Sequence, residues 1–339
     1  MNAVDRNLDS AREVARSLLG AEIDALQPAS GGRNSRVYRL EQAGRRYALK
    51  QYPSRGEDAR DRLGAELEAL ALMERHGIVG VPRVLAADRE RGFALLSWLD
   101  GTPVGKVGEA DIDAAAAFLA ALHALRHAGG VAPDRLASEA CLSGAEIVRQ
   151  VEARLARLRA VPASELELHA FLDHAFAPAF DGILRKIRGV AGSTGLDLAA
   201  VLAPDKRSLV PSDFGFHNSL RVADGSLVFF DFEYFGWDDP VKMTADVMLH
   251  PGTSLRADLR QRFRAGAEQV YGTDPWFRRR LAAYYPLFGL RWVLILLNEF
   301  VPNRWRRELA GTAESWQALK RDQLAKAREF LAGVCNEHG

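Results

Sequence analysis

Apolar residues recur at helical spacing near the start of the chain, at Leu8, Val14, Leu18 and Leu19, and Gly20 closes the run. Ser10-x-x-Glu13 has the form of a capping box, so an amphipathic helix is predicted around it. The period then changes. Pro28-Ala29-Ser30-Gly31-Gly32 reads as a loop, Arg36–Leu40 as a strand, Gly44 as a turn and Tyr47–Tyr52 as a second, alternating strand. Glu57–His76 is helical in period and ends at Gly77. Val81–Leu85 and Phe93–Trp98 are strand-like, and Leu99-Asp100-Gly101-Thr102-Pro103 punctuates the chain. From Asp111 onward the pattern is helical, apart from a short β region at Leu209–Tyr234. An α+β chain is expected. A small β-rich lobe (1–100), with an N-terminal helix, precedes a larger helical lobe (101–339), with a hinge near 97–101.

Composition narrows the class. With 339 residues, 48% hydrophobic and 26% charged, the chain can bury a sizeable core without a staple. Its 45 basic and 44 acidic side chains exclude a strongly cationic nucleic-acid binder. Cys141 and Cys335 lie too far apart for a metal-ligand spacing, and two cysteines make no disulfide framework, which points to a reducing compartment. The opening residues lack the apolar core of a signal peptide. The most apolar window, Tyr284–Phe300, is interrupted by Pro286, Arg291, Asn298 and Glu299, so it reads as a buried helix rather than a membrane span. A cytoplasmic location is expected, with no membrane or nucleic-acid partner. Oligomeric state is not legible.

Candidate chemistry begins at Ser30-Gly31-Gly32-Arg33-Asn34-Ser35, where paired glycines permit close backbone approach to a phosphate. Alone the motif is weak, since it is neither a Walker A loop nor a G-x-G-x-x-G. Lys50 follows on a strand whose alternation puts it on one face with Ala48, which would let a flat ring pack beside the ammonium. Glu66 shares a helical stripe with Leu63, Leu67, Leu70 and Met73. A carboxylate in an apolar stripe needs a partner. Glu66, rather than Glu68, is therefore the expected partner of Lys50.

The strongest signal runs from Asp213 to Asp231. Asp213-x4-Asn218 precedes a strand, and Asp224-Gly225 reads as a two-residue hairpin turn. That turn would set Asn218 directly opposite Asp231, bringing an amide oxygen and a carboxylate together. Such oxygens suit Mg²⁺ when phosphates and water complete its shell. Asp213, just upstream, would receive a proton from an attacking hydroxyl.

Taken in order, Ser30–Ser35, Lys50, Glu66, Leu122-His123, Asp213-x4-Asn218 and Asp231-Phe232-Glu233 resemble the aminoglycoside phosphotransferase and choline kinase-like family of small-molecule kinases, over the whole chain. The resemblance implies a bilobal protein-kinase-like fold with ATP clamped between the lobes. It implies nucleotide contacts from Ser30, Gly31, Gly32, Ser35, Lys50 and Glu66 and, at the hinge, from Ser97 and Leu99. It also implies Asp213 as catalytic base and Asn218 and Asp231 as Mg²⁺ ligands. Pro211-Ser212 stands where the family usually has His-Gly, which puts loop packing in question more than proton transfer. The family's Asp-Pro with a later Asp is stretched here to Asp239-Pro240 and Asp246, and Asp246 is left unassigned.

The expected activity is transfer of the γ-phosphate of ATP to a hydroxyl of a small molecule such as a sugar or amino alcohol. The alternative is a nucleotide-binding regulatory or scaffold module that has lost transfer; a protein kinase would need an activation segment that is not evident. Residues 255–339 hold 15 Lys/Arg against 9 Asp/Glu, which leans against a polycationic acceptor. Arg291, Trp292, Asn298 and Glu299, polar groups in or beside an apolar helix, are candidate lining for the acceptor pocket. Trp237-Asp238-Asp239 reads as a structural turn. His169 and His174 read as helix surface.

Overall fold

Helix α1 spans Ala3–Leu19, so Ser10 and Glu13 lie inside it rather than at its cap; no glycine or proline breaks the turns before Ser10. The computed structural model describes residues 3–29, 35–54, 56, 58–301 and 312–338. Ser30, Gly31 and Gly32, expected at the phosphate loop, lie outside them.

Strands β1 (Ala25–Pro28), β2 (Arg36–Gln42), β3 (Arg45–Gln51), β4 (Val84–Asp88) and β5 (Phe93–Ser97) form an antiparallel sheet in the order β1-β2-β3-β5-β4. Strand β4 starts at Val84, later than its apolar residues suggested, and β1 was not expected. Strand β3 is central, with Lys50 opposite Val37 on β2 and Ala94 on β5. Alternation sorts the two faces. Tyr38, Leu40, Leu49, Phe93 and Leu95 cluster with Ala11, Val14 and Ala15 of α1, and Lys50 points to the other face.

On that other face lies helix α2 (Arg62–Arg75), which starts later than Glu57 because Asp61 caps it. Asp61 Oδ1 accepts the Gly64 amide at 3.0 Å. A Cβ on residue 64 would come within 2.0 Å of the same carboxylate, so a larger residue there would have to displace the capping side chain. Strand β6 (Thr102–Pro103) and helix α3 (Glu109–Ala124) follow.

After strand β7 (Ser208–Val210), strands β8 (Ser219–Arg221) and β9 (Leu227–Phe229) join β6 in a three-stranded sheet, β6-β8-β9. Ser219 faces Phe229 and Leu220 faces Val228. The register is one residue away from the expected one. The loop has three residues, Ala223-Asp224-Gly225, with Gly225 N donating to Val222 O at 2.9 Å and Gly225 at φ 87°. That is a tight turn followed by a left-handed glycine, and Asp224 Oδ1 locks it by accepting from the Ser226 amide and hydroxyl. Asn218 therefore lies opposite Phe230, whose amide donates to Asn218 O at 3.1 Å. The cross-strand pairing of Asn218 with Asp231 is not formed.

By internal contacts the chain divides into two compact units, Met1–Glu139 with Leu209–Trp237, and Ala140–Ser208 with Asp238–Gly339. Residues 97–101 lie within the first. The second is helical, with α4 (Gly144–Arg159), α5 (Leu166–Phe171), α6 (Ala177–Thr194), α7 (Pro240–Leu249), α8 (Ala257–Tyr271), α9 (Phe277–Leu296) and α10 (Ala313–His338). Helix α9 is its axis, burying Tyr284, Leu287, Phe288, Leu290, Val293 and Leu294. Phe277–Phe300 is long and apolar enough to cross a membrane, yet 72% of its most apolar window is buried inside the protein.

Candidate active site

Lys50 Nζ lies 2.6 Å from Glu66 Oε2, 2.5 Å from Asp231 Oδ1 and 3.2 Å from Glu233 Oε2. Burial opposes its charge, but Asp231, Glu66 and Glu233 outweigh burial and hold its pKa well above the usual value. Glu66 is bonded throughout, since Oε2 also accepts the Tyr52 hydroxyl at 2.6 Å and Oε1 the Phe232 amide at 3.2 Å. Glu68 turns away to Arg135 at 2.8 Å.

Glu233 is the part of this cluster that reasoning from the sequence left without a role. Its Oε1 meets Arg62 Nη1 at 2.8 Å, and Arg62 is tied in turn to Asp58. Burial pushes the Asp231 carboxyl above its usual range; Lys50 pulls it back, while Glu66 and Asp213 add to the rise. Glu66, Asp231 and Glu233 thus face the Lys50 ammonium on one side, and Arg62 offsets Glu233 on the other.

The loop after β7 is held by backbone strain and an aromatic anchor. Asp213 N donates to Pro211 O at 3.0 Å across Ser212, which sits at φ 69°. This is a γ-turn of the left-handed kind, an uncommon and strained conformation for a residue other than glycine. Ser212 Oγ donates to Ser138 O at 3.1 Å. Next in sequence, Phe214 stacks 5.5 Å from Phe118 of α3 and 4.9 Å from Phe229 of β9. His217 Nε2 lies 3.1 Å from Asp213 Oδ1, and Asn218 Nδ2 donates to Asp213 O at 2.9 Å. Loop bonds thus tie Asn218 to Asp213, and Asp213 acts electrostatically on Asp231, whose backbone is left-handed at φ 72°; strand register does not pair Asn218 with Asp231.

Donor chemistry bears on which residues could hold a metal. Carboxylate oxygens of Glu66, Asp231 and Glu233 lie within 4.8 Å of one another, but the Lys50 ammonium already contacts all three. A second cation among them would face it directly. Asn218 presents its amide oxygen once Nδ2 is spent on Asp213, and the Asp231 side chain is 24% exposed. These two offer the oxygen donors that suit Mg²⁺.

Three other expected nucleotide contacts fall among the described residues. Ser35 is buried. Ser97, at the end of β5, accepts the Arg83 amide through Oγ at 2.9 Å, and Leu99 is half-buried in the following loop.

In the second unit, two of the residues expected to line an acceptor pocket are tied to Asp246. Arg291 Nη2 grips both Asp246 oxygens at 2.9 and 2.8 Å, and Trp292 Nε1 donates to Asp246 Oδ1 at 2.9 Å. Lys242 adds its charge to Asp246 at 3.5 Å and Asp238 at 3.4 Å. Asp246 is a buried counter-ion. Asp239 caps α7 through the Val241 amide at 3.0 Å and pairs with Arg280 at 2.8 Å. A cavity of about 250 Å³ in this unit is lined by Tyr285, Pro286, Gly289, Phe330 and Val334 among others, and not by Arg291, Trp292, Asn298 or Glu299.

A sequence model of the phosphotransferase enzyme family matches residues 25–284, most of the chain and every candidate catalytic residue. The chain belongs to that family. Among curated proteins, none matches it in sequence. In fold it is similar to choline kinase LicA from Streptococcus pneumoniae, at 15% identity and a TM-score of 0.60, covering 96% of this chain and 98% of that one. It is also similar to aminoglycoside phosphotransferase APH(4)-Ia, at 15% identity and a TM-score of 0.59, covering 98% and 99%. An ethanolamine kinase from Plasmodium vivax aligns at 13% identity and a TM-score of 0.57, covering 93% and 83%. This phosphotransferase is a mixed α+β chain, with an antiparallel N-terminal sheet and a mostly helical remainder, as its resemblance to protein-kinase-like enzymes implies.

Proposed function

We propose that this phosphotransferase moves the γ-phosphate of ATP to a hydroxyl of a small molecule, a sugar, amino alcohol or similar. The observation that carries the reading is the buried Lys50 ammonium tied to Glu66 and Asp231, with Asp213 close enough to act electrostatically on Asp231. Structures similar in fold include one of LicA in complex with AMP and an ADP-bound aminoglycoside phosphotransferase, which supports nucleotide as the donor.

In this reading Lys50 binds the phosphates and Glu66 fixes its direction. Asn218 and Asp231 hold Mg²⁺, which when bound supplies charge neutralisation along the phosphate chain. Asp213 accepts the hydrogen bond of the acceptor hydroxyl and takes its proton, and His217 holds that carboxylate in place. Ser97 and Leu99 belong to the hinge against which the base of the nucleotide rests. The net positive charge of 255–339 favours a neutral or singly charged acceptor over an aminoglycoside.

The test is ATP consumption with sugars, amino alcohols and aminoglycosides in turn, with Asp213→Asn as the blank. General-base contributions are typically 10²–10⁴-fold. Turnover should fall by about that much in Asp213→Asn while nucleotide affinity stays within about twofold. No turnover with any acceptor in the unaltered protein, despite nucleotide binding, would favour a regulatory module. Full turnover in Asp213→Asn would remove Asp213 as base.

A further inference from the structure

We infer that Glu233 is a positioning residue: with Glu66 it fixes the Lys50 ammonium permanently, and Asp231 is the one carboxylate of the three that exchanges partners. This rests on the phosphotransferase reading and deepens it.

Lys50 donates hydrogen bonds to Glu66 and Asp231 and stands in an ion pair 3.2 Å from Glu233 Oε2, which accepts no hydrogen bond. Enclosed by three carboxylates and only 4% exposed, the ammonium must part from one of them to meet a phosphate oxygen. The three are not equally free. Glu66 is 1% exposed and holds Tyr52 and the Phe232 amide besides Lys50. The Glu233 side chain is fully buried, bridging Lys50 and Arg62. Arg62 is itself fixed, by Asp58 and by the Tyr234 ring 5.0 Å away. Withdrawing Glu233 would take one counter-ion from each of two buried cations and leave its own fully buried carboxylate without either partner, and an unpaired buried charge is costly.

Asp231 differs on each point. Its side chain is 24% exposed, and it stands at the mouth of the cluster on a left-handed backbone. Releasing Lys50 turns its carboxylate toward water, where an oxygen donor to a metal is wanted. Lys50 then keeps its bond to Glu66 and its ion pair with Glu233, and directs the N–H released by Asp231 at the phosphate. The same burial removes Glu233 from contention as base, because no acceptor hydroxyl can approach a carboxylate closed off by Lys50 and Arg62.

Calorimetric titration with ATP, first in EDTA and then with Mg²⁺, tests this on the full chain. Glu233→Gln keeps the size and removes the charge. Metal-free ATP should bind about tenfold more weakly, the loss of one buried ion pair that aims the ammonium, with the Mg²⁺ concentration for half-maximal turnover unchanged. Glu233→Asp should recover part of the affinity. Arg62→Gln, which frees Glu233 from its clamp, should weaken metal-free ATP in the same sense. Unchanged metal-free affinity in both Glu233→Gln and Arg62→Gln overturns the inference. So does a raised Mg²⁺ requirement with metal-free affinity intact, which would make Glu233 a metal ligand. A melting-temperature cycle of Glu233→Gln with Lys50→Met, run without nucleotide, reads the anchoring alone. The double variant should lose clearly less than the two singles together, and additive losses would refute the anchor even in a protein that bound no nucleotide.

Discussion

Glu66 Oε2 and Lys50 Nζ meet at 2.6 Å, with the carboxylate side chain 1% exposed and the lysine 5%. Glu66→Gln should lower stability by about 1–3 kcal/mol, the range for weakening a buried charge-assisted bond. It should also shrink the rise in melting temperature that Mg-ATP produces. Glu68→Ala, which breaks only a half-exposed pair with Arg135, should leave that rise intact. Equal losses in the two variants would contradict the pairing.

Ser212 carries both strain and a bond that offsets it. Ser212→Ala should lose the hydroxyl bond to Ser138 O, worth about 1 kcal/mol, while keeping the unfavourable φ of 69°. Ser212→Gly loses the same bond but relieves the backbone. Urea denaturation should therefore rank serine and glycine close together, with alanine about 1 kcal/mol below glycine. Pro211-Ser212 is thus one chemical way to hold a turn that glycine would adopt without strain.

Asp246 sits under Arg291, Lys242 and the Trp292 indole in the second unit. Asp246→Asn removes the charge that two buried cations share and should cost about 3–5 kcal/mol, read as a fall in the urea midpoint. The pair Asp246→Leu with Arg291→Met should lose less than Asp246→Leu alone, since no guanidinium is then left unpaired.

His123, near the end of α3, has its pKa lowered to about 4 by burial, with Arg126 and His127 adding to the effect. The unfolded chain binds its proton from about pH 6.5 downward and the folded chain only near 4, so stability falls as pH drops between those values. His123→Gln should flatten the pH dependence of the melting temperature in that window. An unchanged slope would show that another group governs it.

Legibility in the sequence followed the range of the interaction. Lys50 and Glu66 could be paired because strand alternation and one helical stripe each leave a charge facing inward. Asp213, Asn218 and Asp231 could be found as a spacing. The hairpin register could not, because Asp224-Gly225 fits a two-residue turn as well as the end of a three-residue loop, and only the Ser226 contacts to Asp224 decide it. What Arg291 bonds to is not legible, because a polar residue in an apolar helix shows that it needs a partner without showing which. Its partner Asp246 lies on another helix. Glu233 was passed over for the same reason, since Arg62 is far away in sequence and close only after folding.

The separation of 181 residues between Lys50 and Asp231 has a consequence for synthesis. At ~5–20 residues per second, the ribosome delivers the second carboxylate roughly ten to forty seconds after the lysine. During that interval the nascent sheet and α2 hold Lys50 and Arg62 with only Glu66 and Asp58 to compensate them. Each cation then has one close carboxylate, where the finished cluster gives Lys50 three and Arg62 two. The N-terminal half should therefore reach its full stability only when the hairpin near residue 231 has emerged, and a nascent chain stalled before that point should be cut by added protease faster than the finished protein.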